Sequence, residues 1–207
     1  MSRTISYYFS LVSPWAYMGH ARFMDLARRH ELAVDYRPVA LGNVFADTGG
    51  LPLARRHPVR QRYRMLELQR WRARLGLPFK LQPAHWPFDS KLADRLVVAI
   101  AAAGHDPGAF VARAFAGVWE AELDLADEAT LAEVARDAGL DAPALLAAAK
   151  SEAMEARYVQ NYRDAVASGA FGSPTYVLDG EVFWGQDRLD FVEDALASGR
   201  PPFMASV

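Results

Sequence analysis

Strand-forming sequence occurs only at the two ends of this chain, and that separation constrains the fold more than any other feature. Ile5-Ser6-Tyr7-Tyr8-Phe9 is β-branched and aromatic and predicts a strand. Ser13-Pro14 predicts a helix start, with a hydroxyl to accept from a backbone N–H and a proline in the first turn. Ala16, Gly19, Phe23, Leu26 and Ala27 share one face of that helix, and a second strand runs from Val34 to Val39. A βαβ unit this short predicts parallel strands. Strands return only at Thr175 to Leu178 and Glu181 to Trp184, joined by the Asp179-Gly180 turn of a tight hairpin. Asp187 is then the expected cap of a last helix carrying Leu189, Val192 and Leu196 and ended by Gly199 and Pro201.

The intervening stretch of about 120 residues is patterned for helices. Residues 42–58 hold Gly42, Gly49, Gly50, Pro52 and Pro58 and predict a loop-rich connection. From Arg60, the residues Met65, Leu68, Trp71 and Leu75 recur at helical gaps until Gly76 and Pro78. Helix starts follow at Asp89-Ser90 and Asp106-Pro107, at a Thr130/Glu133 capping box, and at Asp141 with Pro143. The expected fold class is α/β: a discontinuous βαβ…ββα sheet domain, residues 1–44 and 169–207, interrupted by an all-helical insertion over 45–168.

Composition removes whole classes of function. The 207 residues contain no cysteine, which excludes disulfides, Cys-ligated zinc and iron–sulfur centres, and any nucleophilic thiol of the protein's own. A net charge of −2 gives no footprint for nucleic acid or an anionic membrane. The five histidines show no H-E-x-x-H motif or i, i+4 pairing, so no metal site is expected. Residues 1–13 lack a leader's apolar core, and the longest apolar run, Leu96 to Ala103, is far short of a membrane span. The expectation is a cytoplasmic protein.

Three segments have chemistry available. Ser13 stands at a strand-to-helix corner, where the helix N-terminus favours an anion. It reads either as a plain N-cap or as a hydroxyl that hydrogen-bonds a thiolate brought by a cofactor. Phe171-Gly172-Ser173-Pro174-Thr175 places a proline at a strand entry; an ordinary trans turn is the simpler reading. A cis bond would leave Ser173 N–H and C=O open to an extended ligand. In Trp184-Gly185-Gln186-Asp187-Arg188, Asp187 is a helix cap or a partner for a ligand ammonium, while Gln186 and nearby N–H groups suit a carboxylate. Arg55, Arg56, Arg60, Arg62, Arg64, Arg70, Arg72 and Arg74 form a basic run; it reads by default as a solvated helix face, or else one or two of these arginines bind a substrate carboxylate bidentately.

Taken together, Tyr7 to Tyr17 (YYFSLVSPWAY), the Pro58 to Trp71 stretch and Phe171 to Arg188 (FGSPTYV…FWGQDR) resemble the 2-hydroxychromene-2-carboxylate isomerase family. That family is grouped with the kappa-class glutathione transferases and is related to the DsbA-type disulfide oxidoreductases. The resemblance spans nearly the whole chain. It implies a thioredoxin-like domain interrupted by a helical one, glutathione as cofactor, and a homodimer. It implies Ser13 as the catalytic residue that stabilises the glutathione thiolate, and Ser173 beside a cis Pro174 as the cysteinyl contact. It further implies Trp184, Gly185, Gln186 and Asp187 at the γ-glutamyl end, Arg60 near the glycine carboxylate, and Asn43, Arg55 and Trp86 toward the substrate. Two positions depart from the family pattern: Thr48-Gly49-Gly50 where T-G-N is frequent, and Ser173 where valine is frequent.

The expected activity is glutathione-dependent isomerisation of a small aromatic carboxylate by reversible thiolate addition. The alternatives are a kappa-type transferase conjugating small electrophiles and a thioredoxin-fold module that binds thiols or peptides without turnover. Without cysteine, disulfide exchange by the chain itself is excluded.

Overall fold

The computed structural model describes residues 3–204. The outermost positions of the discontinuous sheet domain, 1–2 and 205–207, lie outside the described residues. Strand β1 (Thr4–Phe9) leads through α1 (Pro14–Arg29) to β2 (Ala33–Pro38), which pairs parallel with β1 so that Tyr7 faces Tyr36. The chain returns to the sheet only at β3 (Thr175–Leu178) and β4 (Glu181–Trp184), followed by a 3-10 turn (Gln186–Arg188) and α9 (Leu189–Ser198). The sheet order is β2-β1-β3-β4, with β3 antiparallel to β1 and to β4. Asp179 and Gly180, at φ 51° and 87°, make the β3–β4 connection, a backbone that glycine and Asp tolerate better than other residues. This is the predicted βαβ…ββα layout.

Between β2 and β3 the chain forms α2 (Leu41–Thr48), a 3-10 turn (Leu53–Arg55), α3 (Pro58–Leu75), α4 (Lys91–Ala102), α5 (Gly108–Trp119), α6 (Glu128–Asp137), α7 (Ala142–Ala149) and α8 (Glu152–Ala167). These helices share the core of the sheet. Tyr7 stacks between Phe9 at 4.4 Å and Tyr176 at 5.4 Å, and Phe9 meets Phe115 of α5 at 6.0 Å. Tyr17 of α1 stacks on Phe79 at 5.6 Å, and Phe79 meets Trp119. Each fully buried large apolar side chain in this continuous cluster contributes about 1.5–3 kcal/mol of transfer free energy.

Three local expectations are corrected. Residues 41–48 are helical although Gly42 lowers their propensity by about 1 kcal/mol. Val44 from that turn packs on Tyr8, Val39 and Ala165, and its burial outweighs the propensity; Gly49, at φ 77°, ends the helix. Helix α6 starts at Glu128 and not at Thr130, because the Asp127 carboxylate takes the Thr130 N–H at 2.8 Å and its hydroxyl at 2.9 Å. A charged acceptor in the cap position outcompetes the later Thr. Asp187 does not cap α9: it lies inside the 3-10 turn, and its carboxylate pairs with Arg188 at 2.8 Å.

Candidate active site

The β1–α1 corner is tied to the start of β3 by a reciprocal pair of serine contacts. Ser13 holds an extended backbone (φ −89°, ψ 114°), and its Oγ accepts from Ala16 N–H at 3.2 Å, capping α1 behind Pro14. The same hydroxyl donates to the Ser173 carbonyl at 3.0 Å. In return, Ser10 N–H donates to Ser173 Oγ at 3.1 Å. The Ser13 N–H closes the corner onto Ser10 O at 3.0 Å. Both readings of Ser13 therefore start from one geometry: it is an N-cap, and its single proton points at the neighbouring segment.

The Ser173–Pro174 peptide bond is cis, which corrects the simpler trans reading of those residues. The expectation that the Ser173 carbonyl stands open is also corrected, since Ser13 occupies it. Pro174 O accepts from Gly185 N–H at 2.9 Å, which ties the cis segment to the end of β4. Gly185 adopts φ 110°, a conformation that disfavours any side chain, and a Cβ there would fall 2.5 Å from Asp187 Oδ1. Trp184 is half exposed with its ring against Phe171 at 4.5 Å. The Gln186 side chain is turned inward: it is 2% exposed, and both its carbonyls accept from Arg22 Nη1, the amide at 3.2 Å and the backbone at 3.3 Å. Asp187 is exposed.

Thus Ser13, Ser173, Pro174 and Gly185 form one hydrogen-bonded group, with Trp184, Gln186 and Asp187 on its flank. On the other flank, exposed Asn43 of α2 lines a cleft of about 390 Å³ with Ser10, Val12, Phe88, Lys91 and Tyr158. Trp86 donates its indole N–H to Val12 O at 2.9 Å, one residue before Ser13. Arg55 and Arg60 are exposed, on the 3-10 turn and the first turn of α3. Among the described residues, neither is joined to the Ser13 corner by a hydrogen bond.

Sequence reasoning passed over Asp94 and Arg22, and met Arg64 only as one member of the basic run. Asp94 is fully buried on α4 and accepts from Ser90 Oγ at 2.8 Å, Tyr158 Oη at 3.0 Å and, weakly, Leu11 N at 3.5 Å. It therefore reaches the corner loop from the helical layer, and burial pushes its carboxyl up to about 7. An acid beside Ala93, Leu96 and Val97 was the only signal the sequence carried for it.

A strand-to-helix corner facing a cis-proline strand entry, on a sheet split by helices, defines a class of protein. The profile of the DsbA-like thioredoxin domain matches residues 4–197. The 2-hydroxychromene-2-carboxylate isomerase of Sphingobium xenophagum is 33% identical over 198 residues, covering 95% of this chain and 99% of the relative. A solved 2-hydroxychromene-2-carboxylate isomerase superposes with a TM-score of 0.82 at 28% identity, covering 94% of this chain and 95% of the other. Glutathione S-transferase kappa 2 of Caenorhabditis elegans is 26% identical over 219 residues, with 94% and 92% coverage. The chain belongs to the DsbA-like thioredoxin family and, within it, to the 2-hydroxychromene-2-carboxylate isomerase group of enzymes. No helix of the described residues is long and apolar enough to cross a membrane.

Proposed function

We propose that this enzyme isomerises 2-hydroxychromene-2-carboxylate-type substrates to the ring-opened trans-o-hydroxybenzylidenepyruvate form, with glutathione as cofactor. The observation that carries the reading is the Ser13 hydroxyl at the N-terminus of α1, in a chain without a single cysteine. The names of the isomerase and kappa-transferase relatives support it.

The residues present fit the cofactor. A helix N-terminus and a hydroxyl meet at Ser13, an exposed carboxylate stands at Asp187, and arginines crowd α3. These are complementary in turn to a thiolate, an ammonium and a carboxylate. Bound glutathione supplies the thiolate, whose reversible addition to a conjugated double bond permits rotation about it. Ser13 redirects its one proton from the Ser173 carbonyl to the thiolate and, with the α1 dipole, favours the anion over the thiol. The released Ser173 carbonyl then accepts from a ligand backbone N–H. Arg22 holds the Gln186–Arg188 turn against α1 so that Asp187 keeps its place. The cleft at Asn43, with Phe88 and Tyr158 in its wall, offers room for an aromatic ring beside the Ser13 corner.

The test is turnover of the chromene carboxylate with and without glutathione. Isomerisation at the full rate without glutathione overturns the reading. A second reading, conjugation of small electrophiles, is supported by the kappa-class relative. Turnover of a model electrophile that exceeds turnover of the chromene carboxylate selects it.

A further inference from the structure

Most arginines of this protein that are drawn toward the interior meet a carboxylate. Arg95 pairs with Glu155 at 2.6 Å, and Arg37 is shared between Asp35 and Asp164. Arg64 of α3 and Arg56, just before that helix, are the exceptions. Both are partly buried, and among the described residues no Asp or Glu pairs with either of them or with Arg60. The Arg64 guanidinium lies 5.2 Å over the Trp86 ring, the same ring whose N–H holds Val12 O beside Ser13. Arg56 lies 5.5 Å over Phe45 and is pinned by donating Nε–H to Leu51 O at 2.7 Å. Gly50 makes room for that arrangement, because a Cβ at position 50 would fall 2.6 Å from Phe45 Cδ1.

Both cations thus rest on aromatic faces within mutual electrostatic reach. Burial and the Arg56 charge push Arg64 down to about 10, and burial and Arg60 lower Arg56. Like charges held together without a counter-ion are unfavourable, and an anion between them relieves the repulsion. Two planar forks, each over its own aromatic ring, suit a planar two-oxygen anion beside an apolar body.

We propose that Arg64, backed by Arg56, is the carboxylate-binding site of this enzyme, stacked on Trp86 one ring away from the Ser13 corner. It is distinct from Arg55 and Arg60, the arginines the sequence singled out. The inference rests on the proposed function only for the source of the carboxylate, which both the aromatic substrate and the glycine end of glutathione can supply.

The test compares acid with ester in binding, which needs no turnover. Calorimetry on wild type, Arg64→Met, Arg64→Lys and Arg56→Met uses four ligands: glutathione, its glycyl ethyl ester, an unreactive aryl carboxylate such as salicylate, and the methyl ester of that acid. Loss of the charged fork is expected to weaken a carboxylate ligand about tenfold or more and its ester little, with partial recovery in Arg64→Lys. If the effect falls on the glutathione pair, the site takes the glycine end. If it falls on the aryl pair, it takes the substrate. An acid-to-ester ratio unchanged from wild type in both pairs overturns the proposal. Arg56→Met decides it alone if Arg64→Met does not fold, since the same ratio must fall. A wild-type enzyme that fails to turn over the chromene carboxylate sinks the proposed function and leaves these ratios readable.

Discussion

The Ser13 hydroxyl donates to the Ser173 carbonyl at 3.0 Å across 160 positions of sequence, and Ser10 N–H returns a bond to Ser173 Oγ at 3.1 Å. The corner that carries the proposed catalytic group is therefore locked to the strand that faces it. A hydroxyl has one proton to give. Whatever takes that proton from Ser173 O must be a better acceptor than a buried carbonyl, and a thiolate is one.

Removing this hydroxyl has two separable consequences. Ser13→Ala loses the cap of α1, about 1 kcal/mol, and leaves the Ser173 carbonyl without its donor, about 1–3 kcal/mol more. Isomerisation is expected to fall about 10²–10³-fold, as for the loss of one donor to a reacting anion. The thiol pKa of bound glutathione, followed by thiolate absorbance against pH, is expected to rise. A wild-type thiol pKa in the variant would leave Ser13 as a cap and nothing more.

The contact between α1 and the Gln186–Arg188 turn depends on Gly19. A Cβ at position 19 would lie 2.7 Å from Gln186 Cβ, 3.0 Å from Tyr176 Oη and 3.3 Å from the Gln186 backbone. Gly19→Ala is expected to push the turn off the helix, cost about 1–3 kcal/mol in urea unfolding, and weaken glutathione binding. Gly42→Ala is the control for stability, because nothing lies within 4 Å of its added Cβ and an alanine favours α2. Equal effects of the two substitutions on stability would contradict the crowding argument.

Two buried groups give opposite pH dependence. Asp94 binds its proton more tightly folded, at about 7, than at its ordinary 3.8, so its contribution is present in acid and lost as pH rises through that interval. Burial lowers His20 from 6.5 to about 4, so its contribution is present above 6.5 and lost as pH falls. Between pH 4 and 6.5 the two offset each other. Asp94→Asn is expected to lose stability on acidification faster than wild type, and His20→Gln to lose less than wild type or to gain. Urea midpoints over that range check this. Surface ion pairs are common to all three proteins, so parallel profiles would show that neither group titrates as its burial requires.

The layout of the fold was legible because local chemistry announces it. The β-branched and aromatic run of β1, Ser13-Pro14 at α1, and Asp179-Gly180 between β3 and β4 each specify backbone over a few residues. Helix α2 was not legible, because its stability comes from Val44 meeting Tyr8 and Ala165, which lie far away in sequence. The start of α9 departs from the local pattern for a similar reason: Arg22 and Gly19 of α1 hold the Gln186–Arg188 turn in place.

By itself, the sequence determined that one sheet is split by helices, that no protein thiol takes part, and that a serine caps the helix at the corner. Those are properties of residue type and short spacing. The tertiary structure alone decided where the Ser13 proton points, that the Gln186 amide is used internally by Arg22, and that Arg64 rests on the Trp86 ring without a carboxylate partner. Hydrogen-bond direction and burial depend on what the rest of the chain brings within a few ångströms, and no local pattern records that.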